Sequence, residues 1–145
     1  MDDELLFSMV EECVGFAVER LENSQSLTPF AMAIDTTKTI KSFNSDEVED
    51  DRRYEQLLDI LKAEVLKGEI EAIALLARVT IPSNFNPAVS EGLRVHIEER
   101  RSAHEKLSAR YLYIPYQLYR SEKTGEKIMV KLHDPIPVGF PSEIF

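Results

Sequence analysis

Residues 68–82, GEIEAIALLARVTIP, hold the longest apolar run of the chain. Residues 70–81 read as one strand that is apolar on both faces for most of its length. Only near Pro82 does a polar side open, where Arg78 and Thr80 share a face with Ile70, Ala72, Ala74 and Leu76. Such a strand cannot sit in solvent, because neither face is polar. It is therefore expected at the centre of a single sheet, with the strongest helix just before it and the clearest hairpin just after it.

The other segments are arranged around that strand. Leu5, Leu6, Met9, Val10, Cys13, Phe16, Ala17 and Leu21 recur at helical spacing, which predicts a first helix over residues 2–22. Asp2 or Asp3 can cap it, and Gly15 inside it allows a close crossing over the sheet. Residues 30–35 (FAMAID) form a short apolar strand. Residues 39–43 form a weaker one, paired through a turn at Thr36-Thr37-Lys38.

Residues 44–51 are polar and acidic and read as a loop. A second helix spans 51–67, with Tyr54, Leu57, Leu58, Leu61 and Val65 on its apolar stripe. Gly68 follows it as a left-handed C-cap.

Beyond the loop at 83–90 the pattern turns to strict alternation. Leu93, Val95 and Ile97 point one way, and Arg94, His96, Glu98 and Arg100 the other. A three-residue loop at 101–103 places Glu98 opposite Lys106 and puts Leu107, Ala109 and Tyr111 on the apolar face. The charged row of that hairpin is then expected to face water. Pro115 marks an edge, a bulge or an end of its strand. A last hairpin joins 116–119 to 128–132. Residues 134–145 form an extended apolar tail whose prolines exclude helix.

Composition narrows the class. With 145 residues, 43% of them hydrophobic and 30% charged, the expectation is one soluble domain over 1–145. A single cysteine excludes an internal disulfide and any cysteine zinc cluster, which fits a reducing, cytoplasmic compartment. The start Asp2-Asp3-Glu4 is the opposite of a secretion signal, and the uncharged run 72–77 is too short to span a bilayer. A net charge of -9 argues against nucleic acid and anionic membranes as partners. It serves solubility, or meets a partner with a basic face.

Four constellations bear on chemistry. His96-x-Glu98 with His104 supplies two imidazoles and a carboxylate, a weak zinc or iron set. The zinc-deaminase reading of the pair fails for want of the P-C-x-x-C cysteines. The plainer account is a charged solvent face. Cys13 lies on the apolar stripe and reads as a buried thiol. The acidic run Asp46, Glu47, Glu49, Asp50 and Asp51 lacks the sixth-position glycine of a calcium loop and reads as a solvated loop or a docking site for a basic partner. Tyr111, Tyr113, Tyr116 and Tyr119 with Arg110 and Arg120 divide between core packing and an interaction edge, to which Phe140 and Phe145 of the tail would add. Phosphate loops, nucleophile elbows and HExxH are absent.

The inferred order is α-β-β-α-β-β-β. It is similar to profilin-like and roadblock-type modules, in which two helices cover one antiparallel sheet and the edge or helices dimerise. In size and charge the chain also resembles small acidic secretion chaperones. The resemblance implies a binding or dimerising module and assigns no residue.

The expected fold is thus α+β: one mostly antiparallel sheet of five or six strands with both helices on one face. The expected function is a non-enzymatic interaction module, working as a homodimer and without a cofactor. Two alternatives stay open. One is an immunity protein or chaperone-like antidote for a basic partner, and the other a metal enzyme using His96, Glu98 and His104.

Overall fold

The computed structural model describes residues 3–125 and 127–145. Two helices, α1 (Asp3–Ser24) and α2 (Asp50–Leu66), pack on an antiparallel sheet. Its strands are β1 (Phe30–Asp35), β2 (Ile40–Phe43), β3 (Ile70–Thr80), β4 (Glu91–Glu99), β5 (Ala109–Ser121), β6 (Lys127–Leu132) and β7 (Ile136–Phe140). They lie in the order β2-β1-β3-β4-β5-β6, and β7 also pairs with β5. The class is α+β, as the sequence implies. No helix among the described residues is long and apolar enough to cross a membrane.

The apolar strand β3 lies inside the sheet, between β1 and β4. Gly68, at φ +78°, ends α2 in the left-handed region and turns the chain into it.

Contrary to the sequence-based expectation that both helices share one face of the sheet, they lie on opposite ones. Met9, Cys13, Ala17 and Leu21 of α1 pack on Met32, Ile34, Ala72, Ala74 and Leu76. Leu57, Leu61 and Val65 of α2 pack on Ala31, Ala33, Ile73 and Leu75. A strand with no polar face needs cover on both sides, and two helices provide it only by separating. Two details of α1 also differ from expectation. Phe16 is 44% exposed, meeting the edge of Phe30 instead of entering the core. Gly15 makes no close approach, since a Cβ built there meets nothing within 4 Å.

The β4–β5 pairing differs as well. Glu98 faces Ala109, not Lys106, and His96 faces Tyr111. The connection runs from Arg100 through Ser108, and Leu107 is 64% exposed. This odd offset sends Leu112, Ile114 and Tyr116 to the α1 side with Leu93, Val95 and Ile97. Tyr111 and Tyr113 turn to the α2 side with Arg94 and His96. The aliphatic alternation of β5 decides the register, because a one-residue slip would exchange a Leu-Ile row for tyrosines in the tightest layer.

At Pro115 the pairing of β5 with β4 ends, and β5 continues without it. Along its other side β5 pairs with β7 up to Tyr113 and with β6 from Tyr116. The main chain of His133 donates to the Pro115 carbonyl between the two stretches (2.8 Å). A proline has no N–H to give a ladder, so the strand can bend there. The bend brings β6 over α1, where Glu22 accepts the Val130 amide at 2.9 Å.

Candidate functional site

In the row of β4 expected to face water, His96 and Glu98 are buried and Arg94 and Arg100 half-buried. His96 and Glu98 are 0% and 1% exposed. The tail covers them: β7 lays Phe140 against the His96 ring (5.2 Å between centroids) and the Tyr111 ring (3.9 Å). The segment after β7 then crosses Glu98. The backbone amides of Glu143, Ile144 and Phe145 donate to its carboxylate at 3.1–3.2 Å. His96 Nε2 donates to the same carboxylate at 2.5 Å. A carboxylate only accepts, so this contact places the ring proton on Nε2. Nδ1 is buried without a hydrogen-bond partner. Ser108 and Ser142 hydroxyls join the tail to the sheet, and the Arg100 guanidinium lies over the Phe145 ring at 5.5 Å.

Burial alone would raise the Glu98 pKa. The His96 bond and the three tail amides outweigh it and hold the group below the usual glutamate value. Each of its two oxygens accepts at least two of these bonds, which ties the tail to β4. His104 sits exposed in the loop between β4 and β5 and does not join the pair. No group of three His, Cys, Asp or Glu able to hold a metal occurs among the described residues.

Next to this latch Arg94 lies between two aromatic rings, 5.2 Å from Tyr54 and 4.6 Å from Tyr111. Burial pushes the Tyr111 hydroxyl up to about 12, against the pull of Arg94, so it stays protonated at neutral pH. Burial, helped by Glu12, likewise raises the Cys13 thiol to about 12, and it is no nucleophile in the folded chain.

The tyrosine cluster does not form one surface. Tyr113 and Tyr116 are buried, on opposite faces of the sheet, while Tyr119, Arg110 and Arg120 are exposed. Phe140 and Phe145 are half-buried on the chain's own sheet. The acidic run is mostly exposed. Arg53 holds it to the helix, donating to the Glu47 carbonyl and pairing with Asp50 at 3.1 Å.

What the sequence did not point to is a cleft of about 430 Å³ on the α1 face. Leu6 and Val10 of α1, with Ile97, Leu112 and Pro137 of the sheet, make its apolar lining. Phe7, at 65%, and Leu107, at 64%, stand exposed beside it. One wall is ionic: buried Glu99 forms an ion pair with Arg101 at 2.9 Å and accepts from Arg110 at 3.4 Å, and Arg101 also meets Asp3. The clue in the sequence was Phe7, which lies off the apolar stripe of its helix. Leu107 gave none, since it fits the alternation of the strand it precedes.

Neither the family models, nor the curated proteins, nor the solved structures compared with this chain match it.

Proposed function

We propose that the protein acts by association and not by catalysis, as a homodimerising interaction module. The cleft between α1 and the β4–β5 end of the sheet is its contact face. The observation that carries this reading is the exposed pair Phe7 and Leu107 beside an apolar cleft. Two large apolar side chains left in water next to a hole lined by Leu6, Val10 and Leu112 favour a partner surface.

A second copy suits the patch best. A two-fold interface needs a surface that complements itself, and this one holds both a protruding apolar pair and a recess. Its charges are mixed too: Asp3, Glu99 and Glu105 stand with Arg101 and Arg110, while the chain as a whole carries -9. Like-charge repulsion between two copies is therefore weak at this face.

Sedimentation analysis over a concentration series checks the proposal. The expected result is a reversible dimer that Phe7→Ser with Leu107→Ser converts to a monomer. Both side chains are about two-thirds exposed, so the variant keeps its cooperative unfolding. A chain that stays monomeric at every concentration, or a dimer untouched by the double substitution, would overturn it.

A further inference from the structure

The opposite end of the α1 face carries a second surface. Strand β2 is the last of the sheet on that side. Asp35 donates its amide to the Thr39 carbonyl, and the pairing continues as Ala33 with Lys41 and Ala31 with Phe43. In an antiparallel ladder the inward-bonding residues alternate. Thr39, Lys41 and Phe43 therefore bond to β1, and the N–H and C=O groups of Ile40 and Ser42 point outward from the sheet.

Ile40 and Ser42 also share the α1 side with Met32, and with α1 they bound an open groove of about 510 Å³. Gly15 and Phe16 line it, and Glu12 and Glu19 stand along it. A glycine inside a helix costs about 1 kcal/mol relative to alanine. No packing among the described residues requires this one, because a Cβ there meets nothing within 4 Å. Its effect is to keep the groove beside β2 open. Edge strands are commonly guarded by an inward lysine. Here Lys41 points to the other face, where it pairs with Asp35 at 3.5 Å.

From these features we infer that the free edge of β2 and the groove beside it dock an extended, basic segment of another protein, added to the sheet as a further strand. Main-chain bonds to Ile40 and Ser42 supply the pairing. Every second side chain of the segment falls on the α1 side. There an apolar one fills the space over Gly15 against Phe16 and Ile40, and lysine or arginine meets Glu12 and Glu19. Charge selects the partner: both ionic groups of the groove are acidic and the chain carries -9, so an acidic segment is repelled. This surface is separate from the Phe7–Leu107 cleft and is independent of the homodimer.

The test uses the isotope-labelled full chain and three short blocked peptides. In one, every second residue is threonine and the positions between alternate valine with lysine, so that both kinds reach the α1 side; one has the same composition with its lysines clustered; and one has glutamate in place of each lysine. The expected result is that the alternating lysine peptide shifts the Ile40 and Ser42 amide resonances saturably and slows their hydrogen exchange. Glu12→Lys with Glu19→Lys weakens binding roughly tenfold, the scale of two screened surface pairs turned repulsive. Gly15→Met fills the groove and weakens it further. Gly15→Ala, whose methyl group meets nothing, binds as the parent does. No response at β2, an equal response to the clustered or the glutamate peptide, or full binding by Gly15→Met would each overturn the inference.

Discussion

Glu98→Gln keeps the shape of the buried side chain and removes its charge. Four donors converge on this carboxylate at 2.5–3.2 Å: the His96 ring and the amides of Glu143, Ile144 and Phe145. A hydrogen bond to a charged acceptor contributes about 1.5–3 kcal/mol net, so weakening the set with the tail still in place would cost several kcal/mol. Release of the tail limits the loss, because the freed amides then bond to water. What remains lost is chiefly the burial of Ile144, now 6% exposed, which is about 1.5–3 kcal/mol. The expected destabilisation is thus about 2–4 kcal/mol. At a urea slope of about 1–3 kcal/mol/M, the unfolding midpoint falls by roughly 1–2 M. Hydrogen exchange at residues 143–145 should rise with it. Deleting residues 142–145 should cost a similar amount, and the two changes together little more than either, since both remove one interaction. The pH dependence follows from the lowered Glu98 pKa. A carboxylate whose pKa is depressed by folding contributes stability that is complete above its unfolded value, about 4.3. That stability disappears as pH falls through the lower folded value, so the gap between parent and variant should close in the same range. An unchanged midpoint, or tail amides as protected as in the parent, would refute the latch.

Two further outcomes follow from packing. A Cβ on Gly92 would lie 2.7 Å from Ile81 Cγ1 and 3.1 Å from the Ile114 carbonyl oxygen, so Gly92→Val should destabilise by about 1–3 kcal/mol in a urea melt. A midpoint at or above that of the parent would contradict the close approach of β4 to its neighbours. Cys13, buried and with its thiol raised to about 12, should resist a thiol-specific reagent at neutral pH until the chain unfolds. Labelling much faster than global unfolding would show that α1 opens on its own.

Much of the architecture was legible from local pattern. The boundaries of β3, the helix stripes, the Gly68 cap and the hairpin around residues 122–125 are short-range features. Each is written in side-chain period or backbone preference over a few neighbouring residues. Cys13 was legible for the same reason, since its place on the stripe implied its burial.

The layout of the faces was settled by contacts distant in sequence. An apolar run shows that β3 needs cover on both sides, yet nothing within it names the covering element. That depends on how α1, α2 and the tail share the available surface. The polar row Arg94, His96 and Glu98 looked wet because alternation alone cannot reveal a third layer. Phe140 and residues 143–145 cover His96 and Glu98 from about forty positions away, and Tyr54 of α2 lies against Arg94. The three-residue difference in the β4–β5 register, which turns Tyr111 and Tyr113 from the α1 side to the α2 side, was likewise decided by packing of Leu112, Ile114 and Tyr116 into the α1 core. Periodicity thus determined which segments are helix and strand and which side chains travel together. Tertiary packing decided which faces meet water, because burial belongs to the whole chain and not to any one stretch of it.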